Sequence, residues 1–185
     1  MSEKSSKKFP AGLLILVLLS IGLVIVSILF LFRKKKITNL PEPEKQVPLK
    51  DTWDLKGFCD TCLLLSGDLD VAIMTTAIAA HESAEFSSVV FTRNNNAFGM
   101  RMPEIRKTVA VGDVDSDGYA NYNSVPDSIK DFYLWFDYHQ FNLRTHTLNE
   151  TIQFMKEKKY FGASFIKYNA AVQKWSKIIK SEIAE

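Results

Sequence analysis

A run of 22 residues without a charge, AGLLILVLLSIGLVIVSILFLF at positions 11–32, constrains this chain more than any other feature. At about 1.5 Å of rise per residue, a helix of that length spans the roughly 30 Å hydrocarbon layer of a bilayer. RKKK follows directly, where a cleavable signal peptide would have a small-residue cleavage site. The run therefore predicts a transmembrane helix that stays in the protein and anchors it in the lipid bilayer.

The basic residues are concentrated around this run. Residues 1–36 contain seven Lys and Arg and one Glu, whereas the remainder contains 16 basic and 20 acidic residues. A nucleic-acid-binding protein needs a basic face, so no nucleic-acid partner is predicted. The positive-inside rule gives a near tie between the two flanks of the run, which leaves the membrane orientation open.

The charge pattern and the prolines divide the chain into four segments. Residues 1–10 form a short basic tail, 11–32 the transmembrane helix, 33–51 a basic and Pro-containing linker, and 52–185 one globular domain. The prolines of the linker lie in a polar stretch, which predicts an extended spacer. The globular segment is long enough for one hydrophobic core.

Two helices are predicted at the start of the globular domain. TWDLKGFCDTCLLLS is followed by Gly67 and Asp68, which serve as a break and a cap. In the next segment, LDVAIMTTAIAAHESAEF, helical spacing places Val71, Ile78 and Glu82 on the same face. This predicts that Glu82 points toward the core.

The rest of the domain is predicted to be helical apart from one β-hairpin. KTVAVGDVDSDGYANY alternates β-branched residues around Asp117 and Gly118, as hairpins do. Ser124 can cap the following helix, and Thr147 with Glu150 forms a capping box. The predicted fold class is α+β, mainly α, with a small β-hairpin lobe.

Glu82 is a carboxylic acid at the end of an apolar helical run. Burial disfavours its charged form, and the carbonyl groups at a helix C-terminus do the same, so both raise its pKa. A raised pKa suits a general acid at neutral pH. Because Glu is rarely buried, the alternative is a helix that ends one turn earlier and leaves Glu82 in solvent.

The segments HESAEFSSVVFTRNNNAFGMRMPEIR and GYANYNSVPDSIKDFYLWF resemble the glucosaminidase family of peptidoglycan hydrolases, glycoside hydrolase family 73. The family pattern is Glu-Ser-Gly-Asn-Phe, a spacer, Asn-Asn-Asn-Leu-Phe-Gly-Met, and Tyr-x-Ser before an aromatic helix. The resemblance covers residues 69–135 and implies a lysozyme-like fold, with Glu82 as general acid and Tyr122 as a catalytic tyrosine near it. Ala84 and Glu85 depart from the usual Gly and Asn, and Ala84 would be costly if φ had to be positive there.

The same resemblance implies where the substrate binds. Asn95, Asn96, Phe98 and Gly99 form the loop after the catalytic helix, and Tyr119 offers a ring on which a sugar can stack. Asn amides can donate to and accept from sugar hydroxyls, but runs of Asn also form turns. Packing within the hairpin is the alternative role for Tyr122.

Glycosidases usually pair the acid with a second carboxylate. The candidates in this sequence are Glu85, Glu104, Asp113, Asp115 and Asp117. Two mechanisms need only one enzyme carboxyl, namely participation by the substrate's 2-acetamido group and attack by its 6-hydroxyl in a lytic transglycosylase.

No metal or other cofactor is predicted. DVDSDGYANYNS begins like an EF-hand calcium loop, but Ser124 occupies the twelfth position, where the bidentate Glu belongs. Cys59 and Cys62 have the spacing of a redox dithiol without the βαβ context, so a local disulfide or two buried thiols is preferred. The histidines show no metal-ligand spacing.

These features imply a membrane-anchored peptidoglycan hydrolase that cleaves the β-1,4 glycan backbone. An endo-β-N-acetylglucosaminidase is the first expectation, and a muramidase or lytic transglycosylase the alternative. The partner is the peptidoglycan glycan strand, and the domain is expected to face the periplasm or exterior, or to sit in the membrane of a phage virion. A rival from another class is a catalytically silent murein-binding or structural adaptor whose hairpin aspartates bind Ca²⁺.

Overall fold

The computed structural model describes residues 52–184, which form six α-helices and one 3₁₀ turn. The helices are α1 (Leu55–Ser66), α2 (Leu69–Glu82), α3 (Val89–Asn94), α4 (Val125–Tyr138), α5 (Leu148–Glu157) and α6 (Phe165–Glu182), with the 3₁₀ turn at Leu143–Thr145. The prediction of a mainly helical domain is confirmed.

The break between α1 and α2 follows from three local signals. The Asp54 carboxylate accepts a hydrogen bond from Gly57 N (2.7 Å) and begins α1. Gly67 ends α1 in the left-handed conformation, with φ +66°. The Asp68 carboxylate then caps α2 by accepting from Val71 N (3.1 Å). The predicted break and cap are confirmed.

Helix α2 is the centre of the domain and packs against α1 and α6. Every residue from Val71 to Ala80 is buried, so the helix is enclosed by the core on all sides. The buried surface is therefore wider than the single face predicted from helical spacing. Ala72, Ala77, Ala79 and Ala80 supply the reason, since small side chains allow neighbouring helices to approach closely.

Aromatic side chains from several elements fill the core around α2. Phe98 stacks on Phe132 of α4, with ring centroids 4.0 Å apart and planes at 4°. Phe132 also meets Phe136 edge to face, and Phe58 of α1 lies against Phe98. Full burial of one such side chain contributes about 1.5–3 kcal/mol, so this cluster ties α1 and α4 to the loop that follows α3.

The two C-terminal helices match their sequence signals. Thr147 and Glu150 form the predicted capping box, since each side chain bonds the other's backbone N–H, at 3.3 and 2.7 Å. In α6, Tyr168, Val172 and Ile179 are buried and form the face of the helix that packs in the core.

The predicted β-hairpin is wrong. No strand forms within residues 52–184, and an isolated bridge between Arg101 and Tyr119 is the β-pairing there. The Asp115 carboxylate instead accepts hydrogen bonds from Asp117 N (3.0 Å) and Tyr119 N (2.8 Å). Two backbone bonds cross the segment, from Asp115 N to Tyr119 O (3.0 Å) and from Val111 N to Asn121 O (2.8 Å), and the Asp115 side chain closes the turn between them.

The structure also contradicts the prediction of a single-pass membrane protein. Between residues 52 and 184 no helix is both long enough and apolar enough to cross a bilayer. The apolar run 11–32 that motivated the prediction lies outside the described residues, as do the tail 1–10 and the linker 33–51.

Cys59 and Cys62 are buried on α1 as free thiols. Burial raises the pKa of both thiols, which keeps them protonated and unreactive. Of the two predicted alternatives, the pair of buried thiols is confirmed and the local disulfide is wrong.

Candidate active site

Glu82 is the last residue of α2 and lies half-buried in a groove of about 700 Å³. Segments 98–103 and 159–162 line this groove together with Tyr119 and Trp135. A volume of that size suits a ligand of several rings. The alternative in which the helix ends a turn before Glu82 is therefore wrong.

Among the described residues, Tyr168 is the hydrogen-bond partner of the Glu82 carboxyl group. The hydroxyl of Tyr168, which projects from α6, donates a hydrogen bond of 2.5 Å to Oε1 of Glu82. Tyr168 is buried, and its ring stacks on Phe161 with centroids 3.7 Å apart and planes at 3°. The Tyr168 and His81 rings form a T-shaped pair, at 4.7 Å between centroids. Ring contacts with Phe161 and His81 therefore help to fix the position of the Tyr168 hydroxyl.

The pKa of Glu82 is raised. Burial is the main cause, because it disfavours the carboxylate, and the Tyr168 hydrogen bond opposes it by stabilising the anion. The raised pKa favours the protonated carboxyl group, which can release its proton toward a bound group. This chemistry is what general acid catalysis requires.

The turn after Glu82 has an unusual backbone. Ala84, Glu85 and Phe86 all have positive φ, at 50°, 55° and 62°. The left-handed region costs a residue with a Cβ roughly 1–2 kcal/mol. Ala84, which stands where the family pattern has Gly, thus lies in the left-handed region. This is the conformation in which Ala was expected to be costly.

Packing and hydrogen bonds hold this strained turn in place. The Ser83 hydroxyl accepts from Phe86 N (2.9 Å) and donates to Ala79 O (2.6 Å). The Phe86 ring stacks on Phe58 at 4.7 Å, which anchors the turn in the core. Glu82 thus stands between a rigid helix and a fixed turn, as preorganised catalytic groups do.

The asparagine loop is structural. Asn94 donates to the Asp115 carboxylate (2.6 Å), and Asn95, in the left-handed conformation, donates to Tyr122 O (3.0 Å). Asn96 is buried, donates to Met100 O and Ala120 O, and accepts from Met100 N. The amides of Asn95 and Asn96 are thus already used within the protein, which favours the turn-forming alternative over sugar binding.

Tyr122 belongs to a buried network rather than to the groove. Its hydroxyl donates to Asp131 Oδ2 (2.8 Å), and Asp131 forms a two-pronged ion pair with Arg106, at 2.7 and 2.9 Å. Although burial raises the pKa of Asp131, hydrogen bonds from Arg106, Thr108 and Tyr122 lower it below its usual value. Because Arg106 also lines the groove, this network fixes one groove wall.

The three remaining predicted substrate residues line the groove, as does the buried Asn96. Tyr119 is half-buried, and its ring lies 5.0 Å from the guanidinium of Arg101. Gly99 has φ +60°, and a Cβ there would lie 3.8 Å from the Tyr119 ring. Phe98 is buried by its stack on Phe132, so it contributes little surface to a ligand.

The groove walls contain none of the five proposed second carboxylates. Glu85, Glu104, Asp113 and Asp117 are exposed and lie outside the groove lining. Asp115 is engaged with Asn94 and with the backbone of its own turn, whose N–H groups are the main reason its pKa is lowered. Among the residues that the structure describes, Glu82 is the carboxylate in the groove.

Sequence reasoning missed several groove residues. Tyr168, which bonds Glu82, and Tyr160, whose hydroxyl donates to Phe98 O (2.7 Å), were not predicted as site residues. Arg101, Arg106 and Lys159 supply positive charge to the groove and were also missed. No local spacing marks these residues, since the contacts that define their roles cross long stretches of sequence.

The described residues offer no site for a metal. Within 52–184, no three His, Cys, Asp or Glu side chains come together in a way that could hold one. The EF-hand-like segment uses Asp115 to cap its own turn, while Asp113 and Asp117 stay exposed. The calcium-binding form of the rival hypothesis therefore lacks a ligand set in this region.

Comparison with known proteins found a similarity of fold to a solved structure. No protein-family model matches the chain, and no curated protein matches it. Among solved structures, it is similar to a chain in the structure of a type VI secretion system effector-immunity complex from Pseudomonas protegens. The TM-score is 0.55 and the identity 18%, over 69% of this chain and 91% of the other. At this identity the likeness is one of fold alone.

Proposed function

We propose that this protein is a peptidoglycan hydrolase with a lysozyme-like fold that cleaves the β-1,4 glycan backbone with Glu82 as general acid. One observation carries the proposal: a half-buried carboxyl group, hydrogen-bonded by Tyr168, stands in a groove of about 700 Å³. Aromatic rings from Tyr119, Trp135 and Phe161 lie in the same groove, as sugar-binding sites require. The resemblance of residues 69–135 to the glucosaminidase family supports the same reaction.

The groove favours a mechanism with one enzyme carboxyl. Glu82 protonates the glycosidic oxygen while the bond from that oxygen to C1 breaks. The oxygen of the substrate's own 2-acetamido group forms a bond to C1, giving a cyclic intermediate. Water then attacks C1 as the bond from C1 to the acetamido oxygen breaks, which regenerates the 2-acetamido group. The water gives its proton to the Glu82 carboxylate, which restores the acid. An endo-β-N-acetylglucosaminidase or a muramidase fits these steps, and attack by the 6-hydroxyl instead of water gives a lytic transglycosylase.

The similar solved structure is that of a type VI secretion system effector-immunity complex. That likeness supports the fold and leaves the substrate to experiment. The rival, a catalytically silent murein-binding adaptor, keeps the same groove and differs in having no turnover.

The decisive experiment measures clearing of purified peptidoglycan by the full-length protein and by Glu82→Gln. We expect Glu82→Gln to lose at least about 100-fold in rate, since the acid is lost while the shape is kept. Glu85→Gln is the matched control, because Glu85 is exposed and outside the groove. Equal rates for wild type and Glu82→Gln would overturn the mechanism, and no clearing by either would favour the adaptor. Mass spectrometry of the reducing ends identifies which bond is cut.

A further inference from the structure

The groove has a charge opposite to that of the domain. Residues 52–184 contain 14 Lys and Arg and 16 Asp and Glu, so this part of the chain is slightly acidic. The groove lining nevertheless contains Arg101, Arg106 and Lys159 against the one carboxyl group of Glu82. Arg106 is neutralised by its ion pair with Asp131, which leaves two cations.

Arg101 is held in place by the turn that resembled a calcium loop. Its Nη1 donates to Asp117 O (2.8 Å), and its guanidinium lies over the Tyr119 ring. Gly118 makes room for it, since a Cβ at Gly118 would lie 2.8 Å from Nη1. The segment from Asp115 to Tyr119 therefore serves as a seat for the Arg101 guanidinium.

Both free cations of the groove lack an acidic partner. In the described part of the chain, no carboxylate forms an ion pair with Arg101 or Lys159. Both residues are exposed, so a ligand can reach them. An ordered guanidinium with unused N–H groups is well suited to a carboxylate, which it can bind through two hydrogen bonds.

We propose that Arg101, assisted by Lys159, forms a subsite that binds a carboxylate carried by the glycan strand, so that the groove selects acidic strands over neutral N-acetylglucosamine polymers. This inference rests on the proposed function and specifies its substrate. Two sources supply such a carboxylate: the peptides attached to the muramyl residues, and the lactyl group of a muramyl residue that has lost its peptide.

The test is calorimetric titration of the full-length Glu82→Gln protein, which leaves the ligand intact. Three soluble oligosaccharides of equal length are compared: a neutral N-acetylglucosamine oligomer, a murein oligomer with free lactyl groups, and one with attached peptides. Arg101→Gln and Lys159→Gln are added singly. Arg93→Gln is the control, because Arg93 is an exposed arginine outside the groove.

We expect the acidic oligomers to bind at least about tenfold more tightly than the neutral one, and Arg101→Gln to remove most of that difference. Lys159→Gln should weaken it by about threefold, and added salt should weaken it further. Arg93→Gln should change nothing. Which acidic oligomer binds more tightly identifies the source of the carboxylate.

Gly118→Ala provides a variant that keeps the charge but displaces Arg101 from its seat. We expect it to lose selectivity for acidic oligomers while its binding of the neutral oligomer stays within about twofold. Equal affinity for all three oligomers, no measurable binding, or an equal loss with all three in Arg101→Gln would overturn the subsite. Because binding is measured without turnover, a failure of Glu82 catalysis would appear in the clearing assay alone.

Discussion

The hydroxyl of Tyr168 donates a 2.5 Å hydrogen bond to the carboxyl group of Glu82, although 86 positions separate the two residues. Glu82 ends the central helix α2, and Tyr168 projects from the C-terminal helix α6. The packing of α6 on α2 therefore sets both the position of the acid and part of its pKa.

Tyr168→Phe should move the pH profile of activity. The hydroxyl stabilises the Glu82 carboxylate, so its removal leaves burial unopposed and raises the pKa of Glu82 further. Because the acid acts while protonated, the alkaline limb of the rate against pH should move to higher pH. Tyr138→Phe, on an exposed residue of α4, is the control. An unchanged limb in Tyr168→Phe would show that the hydrogen bond does not tune Glu82.

Glu82→Gln should stabilise the protein at neutral pH. The pKa of Glu82 is raised on folding, mainly by burial, so the folded state prefers the protonated form. The free energy of unfolding therefore falls as pH rises from the pKa of Glu82 in the unfolded state through its pKa in the folded state. Below both pKa values Glu82 does not lower it. Urea unfolding should show Glu82→Gln more stable than wild type at pH 7 and equal to it near pH 3. A variant less stable than wild type at pH 7 would contradict the burial argument.

Ala84→Gly should stabilise the turn after Glu82. Ala84 has φ +50°, where Gly avoids the roughly 1–2 kcal/mol cost of a Cβ while losing about 0.5–1 kcal/mol to unfolded-state entropy. We expect the free energy of unfolding to rise by about 0.5–1 kcal/mol. Ala170→Gly, in the exposed part of α6, should instead lower it by about 1 kcal/mol. Destabilisation by both substitutions would mean that the left-handed turn is absent in solution.

Tyr122→Phe separates a supporting role from a catalytic one. Its hydroxyl bonds the buried Asp131 carboxylate, and a hydrogen bond to a charged group contributes about 1.5–3 kcal/mol. We expect a loss of that size in urea unfolding, with kcat reduced by less than about tenfold. A 100-fold fall in kcat at unchanged stability would instead assign Tyr122 to the reaction, as the family resemblance implies.

Asp131 should make the domain sensitive to acid. The pKa of Asp131 is below its usual value because its hydrogen bonds outweigh the effect of burial. The stability that Asp131 contributes is therefore present above its pKa in the unfolded state. This stability is lost as pH falls through its pKa in the folded state. Asp131→Asn should cost about 3–5 kcal/mol at pH 7, because it leaves Arg106 buried without a counter-charge. In thermal melts from pH 7 to pH 2, the difference in Tm between Asp131→Asn and wild type should become smaller as the pH falls. Asp137→Asn is the control on the same helix. A difference in Tm between Asp131→Asn and wild type that does not change with pH would contradict the ion pair.

Much of the fold was predictable because its signals are local. Asp68 caps α2 three residues before Val71, and Thr147 faces Glu150 across one turn, so spacing alone identifies both. The hairpin failed because the alternation of β-branched residues carries no information on where backbone N–H groups bond. In the structure, the Asp115 side chain accepts hydrogen bonds from Asp117 N and Tyr119 N, and the segment closes as a turn.

By itself, the sequence determined a mainly helical domain with a glutamate at the end of an apolar helix, since helix caps and periodicity act over a few residues. Tertiary structure alone decided what surrounds that glutamate: Tyr168 as its hydrogen-bond donor, Arg101 seated on Gly118, and a groove without the predicted second carboxylates. The physical reason is distance along the chain. A partner 86 positions away is chosen by how helices pack, and packing depends on the shapes of the whole core.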